Sequence, residues 1–197
     1  MKKIISVIFV FLFLVAFNVF NDCSATVTRK TVLTAPVLVT RQGIKVYIPK
    51  KDMLSTTMQH AFMDWQKHTS NNFTFEFVGT KSTANMEVIF VESGISSICR
   101  NGDALACTTY NKARTVYGNQ KILGAKIYIS MLDNNNKPMT KNQVYTVMLH
   151  EIGHALGLGH SNDKNSLMYA GTNHEMAEVQ EIQPEDIKQL YNLYGIN

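Results

Sequence analysis

The chain has 197 residues, of which 45% are hydrophobic and 17% charged, and its formal net charge is +4. This length accommodates one domain or at most two small ones. The positive surplus is small and its lysines and arginines are scattered, which argues against a protein that binds nucleic acid. The composition also excludes a collagen-like or disordered chain.

The N-terminal 25 residues have the features of a targeting segment. Two lysines at the start are followed by an apolar stretch from Ile4 to Val15, and Cys23-Ser24-Ala25 offers a small-residue cleavage site. We therefore expect residues 1–25 to be a signal peptide, cleaved after about Ala25, and residues 26–197 to be secreted. An uncleaved membrane anchor is the alternative, because the apolar run is long enough to stay in a bilayer.

Removal of this leader leaves two cysteines, Cys99 and Cys107. An even number of cysteines in an exported chain favours a disulfide. The short loop between them means that a bridge would chiefly fix local geometry. Two free thiols are the alternative.

Residues 26–197 contain no repeat or linker and are interpreted as one domain. Alternating apolar residues predict strands over Ile44–Ile48, Phe73–Phe77, Met86–Val91 and Ala125–Ser130. Apolar residues at helical spacing predict a helix from about Asp52 to His68. His60 and His68 are interpreted as ordinary histidines of this helix, because no further metal ligands lie near them at suitable spacing.

The segment from His150 to His160 carries the most informative pattern, His-Glu-x-x-His-x-x-Gly-x-x-His. Residues four apart share a helix face, so His150 and His154 can bind one metal ion. Glu151 lies beside this face, where a carboxylate can hold a water molecule rather than the metal. His160 is out of phase with the helix, and a turn at Gly157 would return it to the ion as a third ligand.

The start of this helix is also predictable. Thr140 and Gln143 fit a capping box just before the apolar pattern opens at Val144. We therefore expect a helix from Lys141 to Leu156 or Gly157. Two ligands on a packed helix are held more rigidly than two ligands on a loop.

This pattern resembles the extended zinc signature of the metzincin metalloproteases. Ser166-Leu167-Met168-Tyr169 is similar to the methionine turn of the matrixin branch, with Met168 packed beneath the zinc. Residues 183–195 also look like the closing helix of matrixin catalytic domains. The resemblance covers about residues 36–195, and its strongest part begins at residue 140.

The resemblance implies an α+β, metzincin-like catalytic domain over residues 26–197. We expect a twisted mixed five-stranded sheet, three helices, and a zinc cleft between an upper and a lower subdomain. The implied function is that of a secreted zinc metalloendopeptidase with one catalytic Zn²⁺, held by His150, His154 and His160. Zinc would activate a water molecule, and Glu151 would act as general base and then as general acid.

The implied partner is an extended peptide or protein, added as an antiparallel strand along a sheet edge from Ala104 to Tyr110. A bridge between Cys99 and Cys107 would brace that edge, and the main specificity pocket would lie between the helix and the segment after Met168. The expected substrate-binding residues are Ala104, Leu105, Ala106, Thr108, Thr146, Tyr169, Ala170 and Gly171. We expect a monomer with no stable membrane association once the leader is cleaved.

The sequence departs from the family in its other metal sites and in its N-terminal region. No second, structural zinc is expected, because no histidine lies between His68 and His150. Calcium has little support, since only Asp103 and Asp133 are acidic between Glu92 and Glu151. The short segment before Pro36 has no cysteine motif that would cap the zinc, and His174 is interpreted as a surface residue.

Two rival functions remain at this point. One is a zinc-binding module without hydrolytic activity, against which Glu151 argues, because a structural zinc site closes all four positions and needs no base. The other is a structural protein anchored in a membrane by its hydrophobic leader.

Overall fold

A mixed β-sheet and three long helices dominate the computed structural model, which describes residues 37–92, 95–99, 104–114, 120–170 and 179–197. Four features of the sequence analysis lie outside these residues. They are the predicted leader (residues 1–25) and the residues Asp103, Gly171 and His174. In the part of the chain that is described, no helix is both long and apolar enough to cross a bilayer.

The sheet combines parallel and antiparallel strands. Its strands are β1 (Val37–Leu38), β2 (Ile44–Tyr47), β3 (Phe75–Phe77), β4 (Met86–Val91), β5 (Ala106–Arg114) and β6 (Gln120–Ser130). Strands β2, β4 and β6 are parallel neighbours, β3 lies beside β2, and β5 pairs antiparallel with β6 at the other side of the sheet. The expected α+β class with a mixed sheet is confirmed. Five strands have three or more residues, and the two-residue β1 adds a sixth that pairs with β6.

The helices are α1 (Asp52–His68), α2 (Ile95–Cys99), α3 (Lys141–Ala155) and α4 (Pro184–Tyr194), with a 3₁₀ turn at Lys81–Thr83. The predicted bounds of α1 are confirmed. The three expected helices are α1, α3 and α4. The five-residue α2 was not predicted, because so short a segment has too few turns to show a helical period.

The bounds of the expected edge strand were wrong. We expected Ala104 to Tyr110, whereas β5 begins at Ala106 and continues to Arg114, past a bulge between Asn111 and Lys112. Its partner β6 likewise begins at Gln120 rather than at Ala125. The edge strand was implied by the resemblance, which does not set exact bounds. Strand β6 was predicted from the alternation of apolar residues over Ala125–Ser130, and this signal does not extend through the residues from Gln120 to Gly124.

The core lies between the sheet and the two longest helices. On α1, the residues Met58, Phe62 and Trp65 are completely buried, and the Trp65 indole N–H donates to the Leu149 carbonyl of α3 at 2.9 Å. Burial of each such side chain stabilises the fold by roughly 1.5–3 kcal/mol. Because α3 is packed on this core, its metal-facing side has a rigid support.

A disulfide joins α2 to β5. The expected bridge between Cys99 and Cys107 is present, with a Cα–Cα distance of 5.6 Å. Cys107 pairs with Tyr128 of β6 in the sheet, so the bridge fastens α2 to the strand at the edge. Successive side chains of a strand point to opposite faces, so the neighbouring Thr108 points away from the disulfide.

Candidate metal centre and active site

Helix α3 begins where the sequence predicts. The Thr140 hydroxyl accepts a hydrogen bond from the Gln143 amide at 3.3 Å, and the Gln143 side chain accepts one from the Thr140 amide at 2.8 Å. This reciprocal capping box satisfies two backbone groups that would otherwise lack a helical partner. The first turn of the helix that carries the metal-site residues is therefore fixed locally.

The other end of α3 turns sharply at Gly157. The Gly157 amide donates to the His154 carbonyl at 2.7 Å, and the Leu158 amide donates to the Gly153 carbonyl at 3.0 Å. This pair of bonds is a Schellman motif, and Gly157 adopts the positive φ of 106° that the motif favours at this position. The helix ends at Ala155, and the chain reverses so that His160 returns towards it.

Three imidazoles converge at this turn. The ring centroids of His150 and His154 lie 4.7 Å apart, and the His160 ring lies 5.3 Å from the first and 4.7 Å from the second. One nitrogen of each ring can be chosen so that all three atoms lie within 4.8 Å of one another. Among the residues that the structure describes, this is the only such group of three or more metal-binding side chains.

Backbone carbonyls orient two of the rings. The Nδ1 atom of His150 lies 2.8 Å from the Leu167 carbonyl, and Nδ1 of His154 lies 2.8 Å from the Leu158 carbonyl. Since a carbonyl only accepts, each Nδ1 carries the hydrogen and each Nε2 is left with its lone pair. Burial lowers the pKa of His150 below its usual range and, together with the neighbouring His150, lowers the pKa of His154 to about 4. Both rings are therefore neutral at pH 7, as metal ligands must be.

The geometry of the donor atoms fits zinc. The Nε2 atoms of His154 and His160 lie 3.1 Å apart. Two nitrogen ligands at about 2.0–2.1 Å in a tetrahedral zinc site are separated by about 3.3 Å. A set of three protein ligands is typical of catalytic zinc, which keeps a fourth position for water or substrate, rather than of structural zinc.

Glu151 follows His150 on α3, and the residue is only 6% exposed. Burial raises its pKa to about 7, and a hydrogen bond from Thr108 lowers the pKa in part. The Thr108 hydroxyl lies 2.7 Å from Glu151 Oε2 and 3.0 Å from the Glu151 carbonyl. Sequence reasoning placed Thr108 at the substrate edge and missed this contact with Glu151, which joins residues 43 positions apart.

Met168 packs against α3 on the side of the helix where Gly153 lies. A Cβ atom on Gly153 would overlap Met168 Sδ and would lie 3.2 Å from Trp65 Cζ2. Met168 is fully buried, and its carbonyl accepts a hydrogen bond from the Ser161 amide at 2.8 Å. The methionine turn is therefore packed directly against the helix that carries His150 and His154.

A buried carboxylate holds this turn in place. Asp186, in the first turn of α4, is fully buried and accepts hydrogen bonds from the Ser166 hydroxyl at 2.5 Å and the Leu167 amide at 3.1 Å. It also accepts one from the Gln183 amide at 2.9 Å. The sequence analysis did not predict these contacts of Asp186. An acidic residue three positions after the start of a helix signals a cap, but it gives no hint of a contact with the methionine turn.

The predicted substrate-binding residues differ in their exposure. Leu105 and Thr146 are buried, and the Thr146 hydroxyl accepts a hydrogen bond from the Gln180 amide at 3.3 Å. Ala104, Ala106, Thr108 and Tyr169 are half-buried and Ala170 is exposed. Gly171 falls outside the described residues, so its expected place in the pocket stays a prediction.

Asp133, one of the two acidic residues considered for calcium, stabilises its own loop. Its Oδ1 atom accepts hydrogen bonds from the Asn135 amide at 2.9 Å and the Lys137 amide at 2.8 Å. His60 and His68 are both exposed, as expected for ordinary helix residues.

The described residues form an α+β scaffold with three histidines that could hold a metal ion, and the buried Glu151 directly follows the first of them. Residues 41–195 match the family model of the matrixins, Peptidase_M10. The chain therefore belongs to the matrixin family.

Curated relatives match most of this chain. Metalloendoproteinase 1 of Glycine max is 28% identical over 74% of the chain and 47% of its own length. The probable matrix metalloproteinase 095L of Invertebrate iridescent virus 3 is 30% identical over 72% of the chain and 38% of its own length. The macrophage metalloelastase of Oryctolagus cuniculus is 24% identical over 77% of the chain and 32% of its own length. The matched region thus spans less than half of each of these relatives.

Proposed function

We propose that this protein is a zinc-dependent endopeptidase that hydrolyses extended peptides. The observation that carries the proposal is the convergence of three imidazoles at the end of α3, the helix that also carries the buried and hydrogen-bonded carboxyl of Glu151. Membership of the matrixin family supports the same function. A purely structural zinc site needs no buried carboxyl next to its ligands.

In the proposed enzyme, His150 and His154 would hold zinc through Nε2, and His160 would supply the third nitrogen. The carbonyls of Leu167 and Leu158 fix the tautomer and orientation of the first two rings. Zinc held by these residues supplies a Lewis acid that polarises a carbonyl and favours deprotonation of water near neutral pH. Met168 supports the ligand helix from below by packing and transfers no proton.

Glu151 performs the proton transfers in this mechanism. Its carboxylate takes a proton from the water that attacks the peptide carbonyl carbon, and it then gives that proton to the amine nitrogen as the C–N bond breaks. A general base works best when its pKa lies near the working pH, and burial places the pKa of Glu151 at about 7. The same carboxyl can therefore serve as base and as acid in one turnover.

The substrate is proposed to bind as an additional strand along β5. Within the described part of the sheet, β5 pairs only with β6, so the backbone groups of its outer edge can pair with a peptide. Ala104, Leu105, Ala106 and Thr108 would form the edge. Thr146, Tyr169, Ala170 and Gly171 would line the pocket that selects one side chain.

We also propose that the protein is exported by cleavage of residues 1–25 and acts as a monomer. The mass of the secreted form tests the first statement, since cleavage after about Ala25 removes the apolar leader. Retention of the leader in a membrane fraction would contradict it.

Zinc removal and restoration test the proposed function. The purified protein should cleave unfolded protein substrates, lose this activity with a chelator, and regain it with one equivalent of zinc. A protein that binds zinc but cleaves nothing in a broad peptide library would instead be a zinc-binding module.

A further inference from the structure

The Thr108 side chain of β5 reaches the carboxyl of Glu151. The Thr108 hydroxyl lies 2.7 Å from Oε2 and 3.0 Å from the backbone carbonyl of the same residue. The backbone carbonyl only accepts, and an ionised carboxyl oxygen also only accepts, so Thr108 is the donor when Glu151 is ionised. Its one proton is shared between them, and the shorter distance favours the carboxyl oxygen.

The hydrogen bond from Thr108 restrains the Glu151 side chain, whose three torsions could otherwise rotate freely. Oε2 is held by the hydroxyl, whereas Oε1 has no hydrogen-bond donor among the residues that the structure describes. The backbone carbonyl contact anchors Thr108 to α3 at the same residue. The two oxygens of the carboxyl are therefore distinguished, with one bound to the protein and one left for a reacting molecule.

Thr108 is itself held from several sides. It pairs with Ile127 of β6, and the preceding Cys107 is bridged to Cys99. Two residues further along the strand, the Tyr110 hydroxyl donates to the His154 carbonyl at 2.9 Å. The strand is thus fastened to α3 at Glu151 and again at His154, so the position of the Thr108 hydroxyl relative to the carboxyl is fixed.

We propose that Thr108 is a positioning residue, whose hydroxyl fixes the Glu151 carboxyl so that Oε1 faces the attacking water and the scissile peptide. This role rests on the proposed endopeptidase function. It differs from the role expected for Thr108 as part of the substrate edge, because the side chain acts through Glu151 and only the backbone would face the peptide.

Two substitutions separate the hydroxyl from the rest of the side chain. Thr108→Val keeps the shape and removes the donor, whereas Thr108→Ser keeps the donor and removes a methyl group. Thr74→Val is the matched control, because the Thr74 hydroxyl also has two partners, Gln42 at 3.0 Å and the Gly43 amide at 2.8 Å, but far from the metal site along the chain. Each variant is made in the full chain and compared with wild type.

The readouts are kcat and KM on one peptide, bound zinc per chain, and the crystal structure at Glu151. We expect Thr108→Val to lower kcat about 10- to 100-fold, because this is the rate change that corresponds to the loss of one hydrogen bond to a charged group. KM should change less than about twofold. Thr108→Ser should keep kcat within about threefold, and Thr74→Val should leave kcat and KM unchanged. Zinc content should not change in any variant. In the crystal structure of Thr108→Val, the Glu151 carboxyl should no longer occupy the one orientation that it has in the wild type.

Several results would overturn this role. They are an unchanged kcat in Thr108→Val, an equal loss in Thr108→Ser, or a Glu151 carboxyl that stays in place without the hydroxyl. If Thr108→Val does not fold, Thr108→Ala against Thr108→Ser provides the same comparison. An inactive wild type would contradict the proposed function itself, whereas an active wild type with an unaffected Thr108→Val contradicts only the role of Thr108.

Discussion

The α-carbon of Gly153 and the sulfur of Met168 face each other so closely that no side chain fits between them. The glycine lies in the ligand helix, and the methionine lies in the turn beneath it. Since Met168 is fully buried, it cannot move away into solvent. This contact sets the distance between the metal-binding helix and its support.

Gly153→Ala should therefore destabilise the protein although alanine favours helices. Helix propensity alone would add about 1 kcal/mol of stability. The added methyl would overlap Met168 and press on Trp65, and overpacking of a core costs about 1–3 kcal/mol. We expect a net loss in the free energy of unfolding, measured by urea denaturation. Gly79→Ala, where a Cβ meets nothing within 4 Å, is the control, and an equal result for both variants would refute the contact.

Asp186→Ala should loosen the methionine turn from α4. The substitution removes the acceptor of the Ser166 hydroxyl and of the Leu167 and Gln183 amides, and unpaired buried donors cost about 1–3 kcal/mol each. Because the Leu167 carbonyl orients His150, zinc affinity should fall as well.

The neighbouring Glu185→Ala is the matched control for Asp186→Ala. Glu185 is exposed and makes a surface ion pair with Lys188 at 3.2 Å. Such pairs contribute about 0–1 kcal/mol, so stability and zinc affinity should stay close to wild type. Thermal denaturation and zinc titration measure both quantities. Equal losses in the two variants would show that the network around Asp186 has no special role.

Loss of the disulfide should lower stability by about 2–3 kcal/mol in the chain-entropy model, because the bridge closes a loop of only eight residue steps. The double substitution Cys99→Ala with Cys107→Ala tests this value by chemical denaturation. Alkylation of the unreduced protein, followed by mass measurement, tests the bridge itself. Incorporation of label at both positions in the secreted protein would contradict it.

Tyr194 should make stability depend on alkaline pH. Its hydroxyl donates to the Leu156 carbonyl at 2.7 Å and accepts from the Leu38 amide at 2.8 Å, and burial raises its pKa to about 12. An unfolded tyrosine has a pKa of about 10, so the neutral form is favoured in the folded state. The contribution of Tyr194 to the free energy of unfolding is therefore complete below pH 10, and it is lost as the pH rises towards 12.

Tyr194→Phe should remove part of this alkaline dependence and lower the free energy of unfolding by about 1–3 kcal/mol at pH 7, since two backbone partners lose their hydrogen bond. Denaturation curves at pH 7, 9 and 11 measure both effects. A variant with the full wild-type loss between pH 9 and 11 would show that other groups cause the alkaline dependence.

The sequence was most informative where structure is local. The capping box of Thr140 and Gln143, the turn at Gly157 and the helix from Asp52 to His68 each depend on residues within a few positions of one another. Local patterns of this kind carry their own hydrogen bonds or apolar period. The three metal-site histidines were found for the same reason, since they lie within eleven positions.

Long-range contacts could not be predicted in this way. Asp186 reaches Ser166 across 20 positions, and Thr108 reaches Glu151 across 43. In both pairs, the residues around one partner show no pattern that indicates the other partner. These contacts form only when α4 and β5 pack on the centre of the fold. The polar strand β5 likewise owes its length to pairing with β6 rather than to its own residues.

The most direct measurement is peptide hydrolysis by Glu151→Gln with bound zinc determined on the same sample. Glutamine preserves the shape of the side chain but cannot take up the proton, so zinc should stay at the wild-type level while kcat falls by at least about 100-fold. Cleavage at the wild-type rate by a zinc-loaded Glu151→Gln protein would contradict Glu151 as the general base, and with it the proposed mechanism.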